Sequence, residues 1–107
     1  MTTEILQRLF HTIESRKDAD PQTSYTAKLF SKGTSRIAQK VGEEAVETLI
    51  AAVAKDKPHV ISESADLLYH LCVLWANAGI CPDDVFNALE QREGISGIAE
   101  KNARPKE

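Results

Sequence analysis

Apolar side chains recur along this 107-residue chain at the three-to-four spacing of helices, and no segment shows the alternation of a strand. Ile5, Leu6, Leu9, Phe10 and Ile13 predict an amphipathic first helix over residues 3–16. The polar run Lys17-Asp18-Ala19-Asp20-Pro21 marks a loop, after which Ser24 is placed to cap a short second helix through Phe30, stopped at Gly33. Thr34 or Ser35 is expected to cap a third helix from Arg36 to about Ala54, with Gly42 its one soft position. The charged turn Lys55-Asp56-Lys57-Pro58 leads into a fourth helix from His59 to Ala78, closed by Gly79. Cys81-Pro82-Asp83-Asp84 opens a fifth, with acids at its positive end, and Gly94 ends it. The pattern is that of an all-α bundle of about five helices in one domain, residues 1–107. The turn between the two long central helices is so short that they must pack antiparallel.

Helical wheels add chemistry to this outline. In the third helix Ile37, Ala38, Val41, Ala45, Val46, Leu49, Ile50, Ala52 and Val53 fill an apolar arc of roughly 220°. Arg36, Lys40, Glu43, Glu44 and Glu47 share the remaining sector. Taken alone, that sector reads as a solvated charged face with Lys40–Glu44 pairing at i, i+4. The fourth helix is apolar almost all round, from Val60 to Ala78, and must therefore be buried almost all round. Yet Glu63, Asp66, His70 and Asn77 fall in one stripe roughly 60° wide. Carboxylates are rarely buried unless they are paired or bound to a metal.

Glu44 and Glu47 stand at i, i+3, as do Glu63 and Asp66, so each pair aims its oxygens in nearly one direction. Four carboxylates converging from adjacent helices would repel and some would keep protons at neutral pH. A hard, oxygen-loving divalent cation resolves the conflict, and Mg2+ is the natural candidate. Zinc is disfavoured by the lack of Cys or paired His ligands, and a ferritin-like di-iron site by Glu63-x-x-Asp66 standing where Glu-x-x-His belongs. His70 is either a hydrogen-bond partner of a ligand carboxylate or a satisfied core histidine.

Composition narrows the classes further. With 13 Lys+Arg against 16 Asp+Glu the net charge is −3, and no basic block suggests a nucleic-acid partner. Apolar stretches fall well short of the roughly 20 residues of a membrane span. Met1-Thr2-Thr3-Glu4 lacks the basic start of a secretory signal, and Cys72 and Cys81 form no CxxC pair, so a cytoplasmic location with reduced thiols is expected. The fourth helix carries more apolar surface than one neighbour can cover, which predicts a homodimer built on the two long helices.

Glu43-Glu44-Ala45-Val46-Glu47 with Glu63-Ser64-Ala65-Asp66 resembles the EExxE…ExxD signature of the MazG-like all-α nucleoside triphosphate pyrophosphohydrolases. Ser24 to Phe30, Lys40 to Ala45, Asp66 to His70 and the tail Gly94 to Lys101 together resemble the phosphoribosyl-ATP pyrophosphohydrolase family of histidine biosynthesis. That resemblance implies Mg2+-dependent hydrolysis of the α–β phosphoanhydride of phosphoribosyl-ATP, giving phosphoribosyl-AMP and pyrophosphate. It also implies a bundle completed by dimerisation, and the chain is expected to be the form that stands without a fused cyclohydrolase.

On this reading Glu44, Glu47, Glu63 and Asp66 hold the metal, and Glu43 orients or deprotonates the attacking water. Lys40 can reach a departing phosphate, with Lys28 and Arg36 as further cationic candidates. Tyr25 and Tyr69 either pack against a base or ribose or belong to the core. The alternatives are a house-cleaning pyrophosphatase of dUTP or noncanonical triphosphates, using the same acids with another base pocket, and a non-catalytic helical interaction module.

Overall fold

The structure, a computed structural model, describes residues 2–93. These residues form five helices and no strand: α1 (Thr2–Ser15), α2 (Tyr25–Lys32), α3 (Thr34–Val53), α4 (Lys57–Ala78) and α5 (Pro82–Arg92). The fold is all-α, as the periodicity requires. The stop at Gly94 and the Gly94–Lys101 tail lie outside the described residues.

The helix ends show how local chemistry sets the bundle. Ser24 caps α2 as expected, its hydroxyl accepting from the Ala27 amide. The start of α3 differs from the expectation. Neither Thr34 nor Ser35 caps it; Gly33, at φ 88° and ψ 179°, ends α2 and begins α3 in a single residue. That conformation is open to glycine and strained for other residues. Thr34 is thereby inside the helix, and its hydroxyl instead accepts from Asn77 Nδ2 at 2.7 Å, tying the start of α3 to the end of α4.

The α3–α4 turn is a Schellman closure, in which the Lys55 amide donates to the Ala52 carbonyl and the Asp56 amide to that of Ala51. Lys55 takes the left-handed conformation (φ 58°) that glycine usually fills there. Asp56 caps α4 two residues earlier than the pattern suggested; its side chain accepts from the His59 amide at 3.3 Å and meets His59 Nδ1 at 2.6 Å. Pro58 sits in the first turn, where its missing N–H costs nothing.

This tight turn fixes a simple register. Residues equidistant from Lys55 along the chain face one another, so Ile37 and Val73 share the core while Glu47 meets Glu63. The core lies at the end of the hairpin away from the turn, where Phe10, Ile13, Leu29 and Ile37 pack on Cys72, Val73 and Ala76. Burying such side chains contributes about 1.5–3 kcal/mol each for the larger ones.

Near the turn the packing is reversed. The strip of α3 against α4 runs through Ile37, Val41, Glu44, Thr48 and Ala51, along the edge of the apolar arc rather than its middle. The middle of the arc faces outward: Leu49 is 60% exposed, Val53 76% and, on α4, Ile61 71%. The hairpin thus buries an acid inside and leaves aliphatic side chains outside.

Candidate active site

Glu44 is the residue around which the site is built. It lies on the inner strip of α3 and is buried, although its neighbours Glu43 and Glu47 at the helix edge are not. Its Oε2 has no hydrogen-bond partner among the described residues, and Oε1 lies 3.9 Å from His70 Nδ1 on α4. A buried carboxylate oxygen left in this state is costly in isolation. Oxygens of Glu44, Glu47 and Glu63 lie within 4.8 Å of one another.

The electrostatic consequence is unequal sharing of charge. Hydrogen bonding with Glu47, then burial, then the Glu47 charge push the Glu44 carboxyl up to about 7. The Glu47 carboxylate moves the other way, held low by hydrogen bonding with Glu44 and Glu63. Glu63 is raised, by desolvation first and then by Glu47 and Asp66. Asp66 is exposed and is not one of the three closest acids, yet it bonds to Glu63 and its charge adds to the upward push on Glu44. The structure therefore brings together three of the four expected metal ligands tightly and sets the fourth at the margin.

Glu43 points elsewhere. Gln39 Nε2 donates to it at 2.9 Å, Lys40 Nζ lies 3.3 Å away and Arg36 3.7 Å. Hydrogen bonds from Gln39 and Lys40 hold its carboxyl below the ordinary range, which makes it a poor proton acceptor. Of its two expected roles, orienting a water is the one compatible with that state. Burial opposes the charge of Lys40, but bonding to Glu43 and the fields of Tyr25, Glu44 and Glu43 carry its pKa upward. Lys40 is thus firmly cationic beside the acids. Arg36 is half exposed on the same helix edge. Lys28 is exposed on α2, lining an open cleft with Ser24, Tyr25 and Lys32.

Tyr25 joins the site through a contact that no sequence spacing announces. Its hydroxyl lies 2.8 Å from His70 Nε2, while the neighbouring pair Thr26 and Tyr69 hydrogen-bond through their hydroxyls. Two adjacent residues of α2 are pinned by two adjacent residues of α4. Of its two expected roles His70 takes the interior one: its ring nitrogens meet the Asp66 backbone carbonyl and the Tyr25 hydroxyl, and Glu44 Oε1, at 3.9 Å from Nδ1, is too far for a hydrogen bond.

A hard divalent cation fits these residues: the donors are all oxygens, they converge, and the partnerless Glu44 Oε2 is the kind of atom such an ion satisfies. The antiparallel hairpin carries the acids of the EExxE…ExxD signature in opposed pairs, and comparison with known proteins makes the chain a member of the MazG-like all-α superfamily. The pattern of the family described as Phosphoribosyl-ATP pyrophosphohydrolase matches residues 6–93. The Phosphoribosyl-ATP pyrophosphatase of Azospirillum brasilense is 65% identical over 104 residues, 97% of this chain and 94% of that protein. That of Zymomonas mobilis is 54% identical over 106 residues, 99% of each chain. That of Gluconobacter oxydans is 56% identical over 103 residues, 96% of this chain and 77% of its own. The chain belongs to the phosphoribosyl-ATP pyrophosphohydrolase family and is a hydrolase.

Proposed function

We propose that the chain hydrolyses phosphoribosyl-ATP at the α–β phosphoanhydride, giving phosphoribosyl-AMP and pyrophosphate in histidine biosynthesis, with Mg2+ as its cofactor and the cytoplasm as its location. The observation that carries this reading is the convergence of Glu44, Glu47 and Glu63 around a buried oxygen without a partner. An acid pocket of this kind repels a triphosphate unless a cation intervenes. Glu44, Glu47 and Glu63 would hold Mg2+, with Asp66 completing the set from the margin. Bound there, the ion supplies charge neutralisation for the polyphosphate and acidifies coordinated water.

The remaining residues position the substrate. Lys40, held over the acids by Glu43, offers its ammonium to the pyrophosphate as negative charge develops on it. Arg36 would reinforce that edge, and Lys28, exposed on α2, would receive the more distant phosphate of the substrate. Glu43 orients water through its exposed oxygens. The exposed strip of Val46, Leu49 and Val53 on α3 with Ile61 on α4 supports a homodimer in which two hairpins cover each other.

The test is turnover of phosphoribosyl-ATP with Mg2+, measured as pyrophosphate release beside a panel that includes dUTP and noncanonical triphosphates. Preference for phosphoribosyl-ATP, lost in Glu44→Gln, is the expected result. Equal turnover of the panel would instead favour the house-cleaning activity, and full activity of Glu44→Gln would remove the acid site from the reaction.

A further inference from the structure

We infer that the Tyr25 hydroxyl is locked by His70 as a hydrogen-bond acceptor, and that it receives a sugar hydroxyl of the nucleotide substrate. The inference rests on the acid site being where the triphosphate is cleaved.

The polarity follows from the chain of contacts. His70 Nδ1 lies 2.7 Å from the Asp66 backbone carbonyl, which can only accept, so Nδ1 carries a hydrogen. In the neutral ring Nε2 is then a bare lone pair. To that neutral tautomer its partner at 2.8 Å, the Tyr25 hydroxyl, donates. The single phenolic proton is committed, and the oxygen has only lone pairs left to offer.

The histidine cannot reverse this arrangement by turning over. It is 5% exposed and its ring is wedged edge-on between Tyr25 and Tyr69, at centroid distances of 5.8 and 5.5 Å. Tyr25 itself is 50% exposed, so its oxygen is held from the inside while the side chain remains reachable from solvent. His70 Nδ1 also lies 3.9 Å from Glu44 Oε1, which places the Tyr25 hydroxyl one imidazole ring away from the acids.

A group that only accepts selects its ligand. Phosphate oxygens are themselves acceptors and gain nothing from it, whereas a ribose hydroxyl donates. In a nucleotide whose anhydride lies over the acid pocket, the sugar bearing the triphosphate is the next unit along. Tyr25 is thus a specificity-determining residue, and His70 a positioning residue that acts through it.

The experiment compares kcat/KM for phosphoribosyl-ATP with its 2′-deoxy and 3′-deoxy analogues, modified on the ribose that bears the triphosphate. Wild type should favour the parent over at least one analogue by about tenfold, the size of one hydrogen bond. The preference should collapse towards unity in Tyr25→Phe and in His70→Ala, and the double variant should add no further loss of discrimination. Equal use of all three substrates by wild type overturns the inference, as does a Tyr25→Phe enzyme that keeps the wild-type preference. Because the Tyr25 ring is half exposed, this variant decides the matter even where His70→Ala does not fold. Glu44→Gln separates the two readings. Full turnover in that variant removes the acid site, whereas an inactive Glu44→Gln beside an unchanged sugar preference in Tyr25→Phe removes only the role of Tyr25.

Discussion

The Glu44 carboxyl and that of Glu47, one turn apart on α3, divide a single negative charge unequally: the first is pushed up to about 7 while the second is held low. The buried member keeps a proton through mildly acidic conditions, and the exposed one gives its proton up. Binding a cation at this pair therefore means expelling a proton from Glu44.

This linkage has a definite sign. The folded Glu44 value lies above the ordinary 4.5, so the folded protein binds more protons than the unfolded chain between the two values. Its contribution to stability is present below the ordinary value and is lost as pH rises through about 7. Glu63 shifts in the same direction, and Glu47 opposes them. Thermal melts of metal-free protein should show Tm falling between pH 5 and pH 8, and added Mg2+ should raise Tm more at pH 8 than at pH 5. An equal gain from Mg2+ at both values would contradict the linkage.

Glu44→Gln should separate activity from stability. The amide keeps the shape of the side chain but removes the charge, so turnover should fall by on the order of a hundredfold or more. Metal-free stability at pH 8 should stay level or rise, because a buried acid under repulsion is gone. Steady-state kinetics and denaturant unfolding on the same preparation check both halves.

The α3–α4 turn offers a test independent of the chemistry. Lys55 holds a left-handed conformation that glycine adopts without a steric penalty. Lys55→Gly should stabilise the fold by about 0.5–1 kcal/mol in urea unfolding, with the slope of the transition unchanged. By contrast Asp56→Ala, which removes the cap of α4, should destabilise it by about 1 kcal/mol.

The outward-facing aliphatic strip predicts an assembly state. Leu49→Glu together with Val53→Glu should turn a sedimenting dimer into a monomer, because both side chains are mostly exposed in a single copy. A wild-type chain that sediments as a monomer at every concentration would contradict this.

Much of this was legible in the residues and some was not. Helix periodicity and the Gly/Pro breaks located all five elements within a few residues, and the acidic spacing picked out Glu44, Glu47, Glu63 and Asp66 as one group. The wheel of α3 did not show which edge of its apolar arc meets α4. That choice depends on the partner helix, and it is why a glutamate is inside while Leu49 and Val53 are outside. The cap of α3 was misplaced because Gly33 serves two helices at once, leaving Thr34 free for Asn77. The Tyr25–His70 contact joins residues on different helices across the whole α3 segment, and no local spacing rule can anticipate it.

The central claim is that the opposed acids of α3 and α4 form one divalent-cation site. The most direct measurement is a titration with Mn2+ followed by electron paramagnetic resonance on wild type and Glu44→Gln, with Mg2+ as competitor. The account predicts saturable binding to wild type that Mg2+ displaces and that Glu44→Gln largely abolishes. Binding of equal strength and number in the two proteins, or none in wild type, would contradict it.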